Sequence, residues 1–207
     1  MAHIPDGVLS PAVLAGGGIL AAGGLAAALR HLDEARIART AILAAVFFAA
    51  SLIVVPVGPS SVHLLLGALM GLVIGTATFP AVLIALVLQA VLFGFGGLTT
   101  LGVNTFNIAL PGVLFGLLAH GYVGRAQAPA AMLAAGAAAA AAVAGTAGLV
   151  ALALILSSAD FVQPAKVLGL TYLPLMLAEA LITGFAVGFL KRVKPEIFLA
   201  SARPVAA

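Results

Sequence analysis

The sequence predicts an all-α integral membrane protein of about seven transmembrane helices, in one domain spanning residues 1–207. Three observations carry this. Of the 207 residues, 64% are hydrophobic and only 7% charged, and the mean hydropathy is +1.28. The apolar runs are also long enough to cross a hydrocarbon core of about 30 Å at about 1.5 Å per residue. The domain divides into an N-terminal segment (1–10), a helix bundle (about 11–190) and a tail (191–207).

The first span is the apolar run 11–30, ending in Arg30. From Arg30 to Thr40 lie Arg30, His31, Asp33, Glu34, Arg36 and Arg39, the densest charge cluster in the chain, expected as a water-exposed loop. A second span covers about 41–56 and is closed by Pro56, Gly58 and Pro59. Ser60-Ser61-Val62-His63 opens a third span, about 62–77, and a fourth covers about 80–95. Residues 94–112 are rich in glycine and small polar groups, and irregular backbone at membrane depth needs protein or a water-filled cavity around it. A fifth span follows over about 105–122. A sixth, the alanine-rich tract 129–157, suits a tightly packed helix. The segment 157–171 holds Asp160 and Lys166, and a seventh span runs to Leu190 before Lys191-Arg192-Val193-Lys194.

Seven spans place the termini on opposite sides of the membrane. With the N-terminus outside, Arg30, Arg36, Arg39, Arg125, Lys191, Arg192, Lys194 and Arg203 all fall inside and only Lys166 outside, as the positive-inside rule favours. His3, His63 and Asn104 then share the outer side, and the C-terminus is cytoplasmic. The sequence pI of about 9.8 therefore reflects bases flanking apolar spans, and no nucleic-acid partner is expected. The absence of cysteine excludes disulfides and thiolate ligands. The glycines at 16–18 and 23–24 are followed by no Walker-type lysine, so no ATP site is expected and any ATP-driven step belongs to other subunits.

The opening Met1-Ala2-His3-Ile4-Pro5-Asp6-Gly7-Val8-Leu9-Ser10 lacks the basic region and apolar core of a secretory signal and reads as a site. A histidine lies close to a free amine, followed by Pro5, which fixes a backbone angle, and by the turn pair Asp6-Gly7. Amine, backbone nitrogen and the His3 Nδ1 can form fused chelate rings, and a second imidazole can complete four nitrogens around a square-planar ion. Nickel(II) fits that set and copper(II) fits it too, whereas zinc prefers tetrahedral sites and calcium or magnesium prefer oxygen. Alone, His63 reads as a helix-start histidine satisfied by a carbonyl; paired with His3 it becomes a candidate ligand.

Met-Ala-His-Ile-Pro-Asp-Gly-Val-Leu-Ser-Pro, Ser-Val-His-Leu-Leu-Leu-Gly and Gly-Val-Asn-Thr-Phe-Asn resemble the CbiM/NikM family, the substrate-specific component of cobalt and nickel energy-coupling-factor transporters, over nearly the whole chain. The resemblance implies a seven-helix protein whose N-terminal segment folds back into the bundle, with Met1 or Ala2 supplying the amine and His3 and His63 completing the site. It implies that Asn104 and Asn107 support that site, that Ni2+ or Co2+ is cargo with no resident cofactor, and that the bacterial or archaeal cell membrane is the location. Its implied partners are a membrane-embedded coupling (T) subunit, cytoplasmic ATPase subunits and a small accessory membrane subunit. The family pattern has histidine second, so removal of Met1 would restore the register. If Met1 stays, the amine, two amides and His3 could fill four positions without His63.

Glu179, inside the seventh span, is expected to be neutral, internally hydrogen-bonded or part of a polar path, and Gln89 to bond between helices. Ala41, Ala45 and Ala49 repeat every four positions on the second span. This stripe either packs within the bundle or, as the resemblance suggests, docks the coupling subunit, with the tract 129–147 as a rival surface. Two other functions are weighed: an intramembrane enzyme using Glu179 and His63, for which no nucleophile motif or carboxylate pair is found, and a self-sufficient secondary transporter, for which Glu179 would be the sole midmembrane charge.

Overall fold

The computed structural model of the chain describes residues 3–57 and 60–198. Helix α1 (Pro11–Leu29) starts where the Ser10 hydroxyl accepts from the Val13 N–H and Pro11 occupies the first turn. Then follow α2 (Glu34–Ser51), an antiparallel hairpin of β1 (Val54–Val57) and β2 (Ser60–His63), α3 (Gly67–Ile74) and α4 (Thr78–Phe93). The chain closes with α5 (Leu101–Arg125), α6 (Ala128–Ser157) and α7 (Val162–Val193). Among the described residues, five stretches are long and apolar enough to cross a membrane: Pro11–Leu29, Gly67–Phe93, Leu101–Arg125, Ala128–Ser157 and Ala159–Val193. Large apolar side chains such as Ile19, Leu118 and Leu133 point outward, while Gln89, Glu179 and Thr183 are buried, the distribution expected when the outer solvent is lipid.

Several expected boundaries shift. The charged segment 30–40 is not all loop: Asp33 accepts from the Arg36 N–H and starts α2 at Glu34, so charged residues occupy the helix's first turns. The expected second span loses its last residues to β1, and the third loses its first residues to β2, so the all-α expectation gains a two-stranded hairpin. The third and fourth expected spans are α3 and α4, separated by a 3-10 turn at Gly75–Ala77, and together they form one apolar stretch. Only 94–100 of the expected irregular region lies outside helix, and most of 157–171 belongs to a 3-10 turn and α7.

Helix α3 is a half-helix whose backbone touches α5. A Cβ on Gly71 would fall 2.0 Å from the Gly112 carbonyl oxygen, and one on Gly112 would fall 2.7 Å from that of Gly67, so these glycines permit the close approach that membrane helix pairs use. The backbone just before α3 is unwound, and Leu66 adopts φ 49°, a left-handed conformation that a branched side chain seldom takes. Glu179 of α7 holds it there: one carboxyl oxygen accepts from the Leu65 N–H and, at 2.8 Å, from the Leu66 N–H. Glu179 is thus internally hydrogen-bonded, and its bonds satisfy backbone donors that have no water to turn to.

The stripe Ala41, Ala45 and Ala49 is exposed, and the inward face of α2 is Thr40, Ala44, Phe47 and Ser51. Packing within the bundle is therefore not what these alanines do. The alanines of α6 do the reverse: Ala131, Ala135, Ala139 and Ala142 are buried inside the bundle.

Candidate metal centre

His3 and His63 meet in the interior. Their rings stack with centroids 4.5 Å apart and planes 24° from parallel, and they are 4% and 6% exposed. The His63 Nδ1 lies 3.0 Å from the Leu64 carbonyl oxygen. A carbonyl only accepts, so Nδ1 carries the proton and Nε2 presents its lone pair. That Nε2, together with both ring nitrogens of His3, is buried without a hydrogen bond among the described residues. Three unpaired buried nitrogens on two touching rings are costly unless something binds them.

Burial pushes the His3 imidazole below its ordinary pKa, and the His63 ring beside it pushes the same way. Two protonated rings at 4.5 Å would repel by about 4 kcal/mol at an effective dielectric of about 20. The pair is held neutral, the form in which imidazole is a metal ligand. Gln89 faces His3 and opposes the shift in part; its Nε2 donates to the Ser51 hydroxyl at 2.6 Å, the expected interhelical bond, and its Oε1 has no hydrogen bond among the described residues.

The N-terminal segment is strapped down beyond His3. Asn104 treats Ile4 as a strand would: its Oδ1 accepts from the Ile4 N–H at 3.0 Å and its Nδ2 donates to the Ile4 carbonyl at 3.0 Å. The Thr100 hydroxyl donates to the same carbonyl at 2.7 Å. Asp6 then docks at the head of α5, accepting from the N–H groups of Leu98 at 3.1 Å, Thr99 at 2.9 Å and Thr100 at 3.3 Å, and from the Thr99 hydroxyl. A carboxylate is stabilised at a helix N-terminus, and the Thr99 hydroxyl first, then these amides, hold Asp6 below the usual carboxylate range. Glycines make the seat. Gly96 has φ +77°, with a Cβ there 3.3 Å from the His3 Cβ, and a Cβ on Gly97 would overlap the Asp6 carboxylate.

The structure therefore brings together His3, His63 and Asn104. Met1 and Ala2, the candidate amine donors, lie outside the described residues. Asn107 does not join the network: it lines a groove between α1, α5 and α6, and its Nδ2 has no hydrogen bond among the described residues. Among the described residues no group of three or more histidine or acidic side chains could hold a metal ion. Sequence reasoning missed the roles of Thr100 and Asp6 and the way Glu179 fixes the backbone that bears His63. The pair Thr99-Thr100 ahead of a helix was the available signal.

The family model described as "Cobalt uptake substrate-specific transmembrane region", CbiM, matches residues 3–197. The chain belongs to the CbiM family. A Haemophilus influenzae relative named for metal transport is 49% identical over 112 residues, 54% of each chain. An Archaeoglobus fulgidus relative named as a fused nickel transport protein, NikMN, is 29% identical over 209 residues, 98% of this chain and 70% of that one. The crystal structure of a truncated transition metal transporter superposes with a TM-score of 0.69 at 25% identity, covering 92% of this chain and 99% of that one. The match spans about half the length of the relatives from Haemophilus influenzae and Haloquadratum walsbyi, 54% and 55%. This CbiM-family chain is a multi-pass membrane protein.

Proposed function

We propose that the chain is the substrate-capture subunit of an ATP-driven nickel or cobalt uptake transporter, binding the ion through the N-terminal amine, backbone nitrogen, His3 and His63. The observation that carries this reading is the stacked, neutral His3–His63 pair, with three buried nitrogens that have no hydrogen bond among the described residues. The strap through Ile4 and Asp6 holds the backbone that follows His3. The Leu64 carbonyl selects the His63 tautomer with a free Nε2, as the hydrogen-bonded partner of a metal-binding histidine does elsewhere. The chain itself carries out no catalysis in this reading; coupling and ATPase subunits supply the energy, and a small accessory membrane subunit joins them. The exposed Ala41, Ala45 and Ala49 stripe is the proposed seat of the coupling subunit, since small residues let a second helix approach closely. Asn107 is proposed to act on the site only through the packing of α1 and α5.

Competition binding to the purified chain tests this function. Nickel and cobalt should each displace zinc at equimolar concentration, because a planar nitrogen set disfavours a tetrahedral ion; zinc that holds the site against both would refute the reading.

The proposed orientation is N-terminus outside and seven spans, with α2 crossing although charges occupy its start. A reporter active only outside the cell, fused after Val193, should be silent. Activity there would overturn the topology.

A further inference from the structure

At the end of the bundle away from His3, a cavity of about 220 Å³ opens between α2, the α3–α4 junction and α5. Arg36, Arg39, Thr76 and His120 line it, with Leu72 and Leu117 among the apolar walls and no carboxylate among its lining residues. The charge belongs to the arginines, because the negative carbonyl end of α3 and the positive amide end of the turn leading into α4 meet at Gly75 and offset one another. The Leu72 carbonyl is already engaged by the His120 Nδ1 at 3.0 Å, and the buried His120 Nε2 has no hydrogen bond among the described residues. Arg36 is only partly committed, through Nη1 to the His31 carbonyl at 3.0 Å and an exposed contact with Asp33 at 3.6 Å. Arg39 makes no side-chain hydrogen bond or ion pair among the described residues.

Two guanidinium groups make this cavity hostile to a divalent cation and suited to an oxyanion, whose geometry their planar forks match. Leu117, which lines the cavity, is itself exposed, as is Leu114 one turn before it on α5. A headgroup in the cavity would leave its acyl chains along those residues.

We propose that this cavity is a binding site for a phosphate oxyanion, supplied in the membrane by the headgroup of an anionic phospholipid. Guanidinium groups of Arg36 and Arg39 take the phosphate oxygens, and Thr76 and the His120 Nε2 face the remaining polar atoms of the headgroup. Basic pockets between membrane helices at one interface bind anionic headgroups in this way. The site is separate from the metal centre, and neither reading depends on the other.

Native mass spectrometry of the full purified chain tests it, with equimolar phosphatidylglycerol and phosphatidylcholine as probes. Phosphatidylglycerol adducts should exceed phosphatidylcholine adducts, and Arg39→Gln should cut that preference about fivefold, the equivalent of about 1 kcal/mol per basic residue near the surface. Arg36→Gln should do likewise, and Arg39→Lys should keep part of the preference by keeping the charge. Melting curves matching the parent's establish that the variants fold; both arginines are exposed, so their loss spares the core. Inorganic phosphate that displaces phosphatidylglycerol shows that a free phosphate also satisfies the site, and phosphate without effect assigns it to lipid. Equal adducts of the two lipids on the parent, or full preference in both glutamine variants, would overturn the proposal and leave the arginines to some other partner, such as a protein carboxylate.

Discussion

Replacing His3 with alanine should remove nickel binding, with an affinity loss well above 100-fold, and leave the fold intact. The loss exceeds the 10- to 100-fold typical of residues that only orient a ligand, because His3 is proposed to give the ion an imidazole directly. Asn104→Ala is the contrast: it releases Ile4 while both imidazoles remain, so its effect should lie within that 10- to 100-fold range. The helices draw their stability from contacts elsewhere, such as the glycine-mediated seam of α3 and α5, so the melting curve of the His3 variant should match the parent. Blocking the terminal amine with a short extension should match His3→Ala in titration calorimetry. Unchanged affinity in the extended protein would refute the amine as a ligand.

Replacing Glu179 with leucine has the largest expected effect on stability. It strands the N–H groups of Leu65 and Leu66 in a buried setting, at about 1–3 kcal/mol for each unsatisfied donor. It also removes what holds Leu66 at φ 49°, so the backbone that carries His63 loses its fixed course and metal affinity falls with stability. Glu179→Gln keeps a carbonyl oxygen able to accept both bonds and should retain most of both properties. Thermal unfolding in detergent, followed beside nickel binding, separates the two variants. If leucine and glutamine behave alike, hydrogen bonding is not what Glu179 contributes.

Apolar runs bounded by proline or charge were legible in the sequence: the expected 11–30 and 129–157 became Pro11–Leu29 and Ala128–Ser157. The start of α2 was not, because charges at the water interface can be helical as readily as looped, and only the Asp33 cap distinguished the two. The hairpin of β1 and β2 was hidden for a similar reason: Pro56, Gly58 and Pro59 read as span punctuation, yet Val54–Val57, Pro56 included, pairs with Ser60–His63. At the candidate site, the stacking partners His3 and His63 were legible as candidates because imidazoles are scarce in an apolar chain and their positions carry a family motif. Asn104 was reached through the same motif. The Asp6 contacts with Thr99 bridge 93 residues, and the Glu179 contact with Leu65 bridges 114. No local spacing announces such pairs; only the fold brings them together. Glu179 could be recognised as needing a partner, since an unpaired acid in a span is costly, but the partner was backbone and so had no signature of its own.

The central claim, a planar four-nitrogen ion site built from the amine, backbone, His3 and His63, is tested most directly by one absorption titration of the purified chain with nickel across pH, its N-terminal residue identified by mass spectrometry. Burial already keeps the His3 ring neutral in mildly acidic solution, so the protons released on binding come from the amine and the backbone amide. Affinity should therefore rise with pH from mildly acidic to neutral conditions, with a yellow to orange low-spin complex and a visible d–d band. A nickel affinity independent of pH, or a complex lacking that band, would contradict the account.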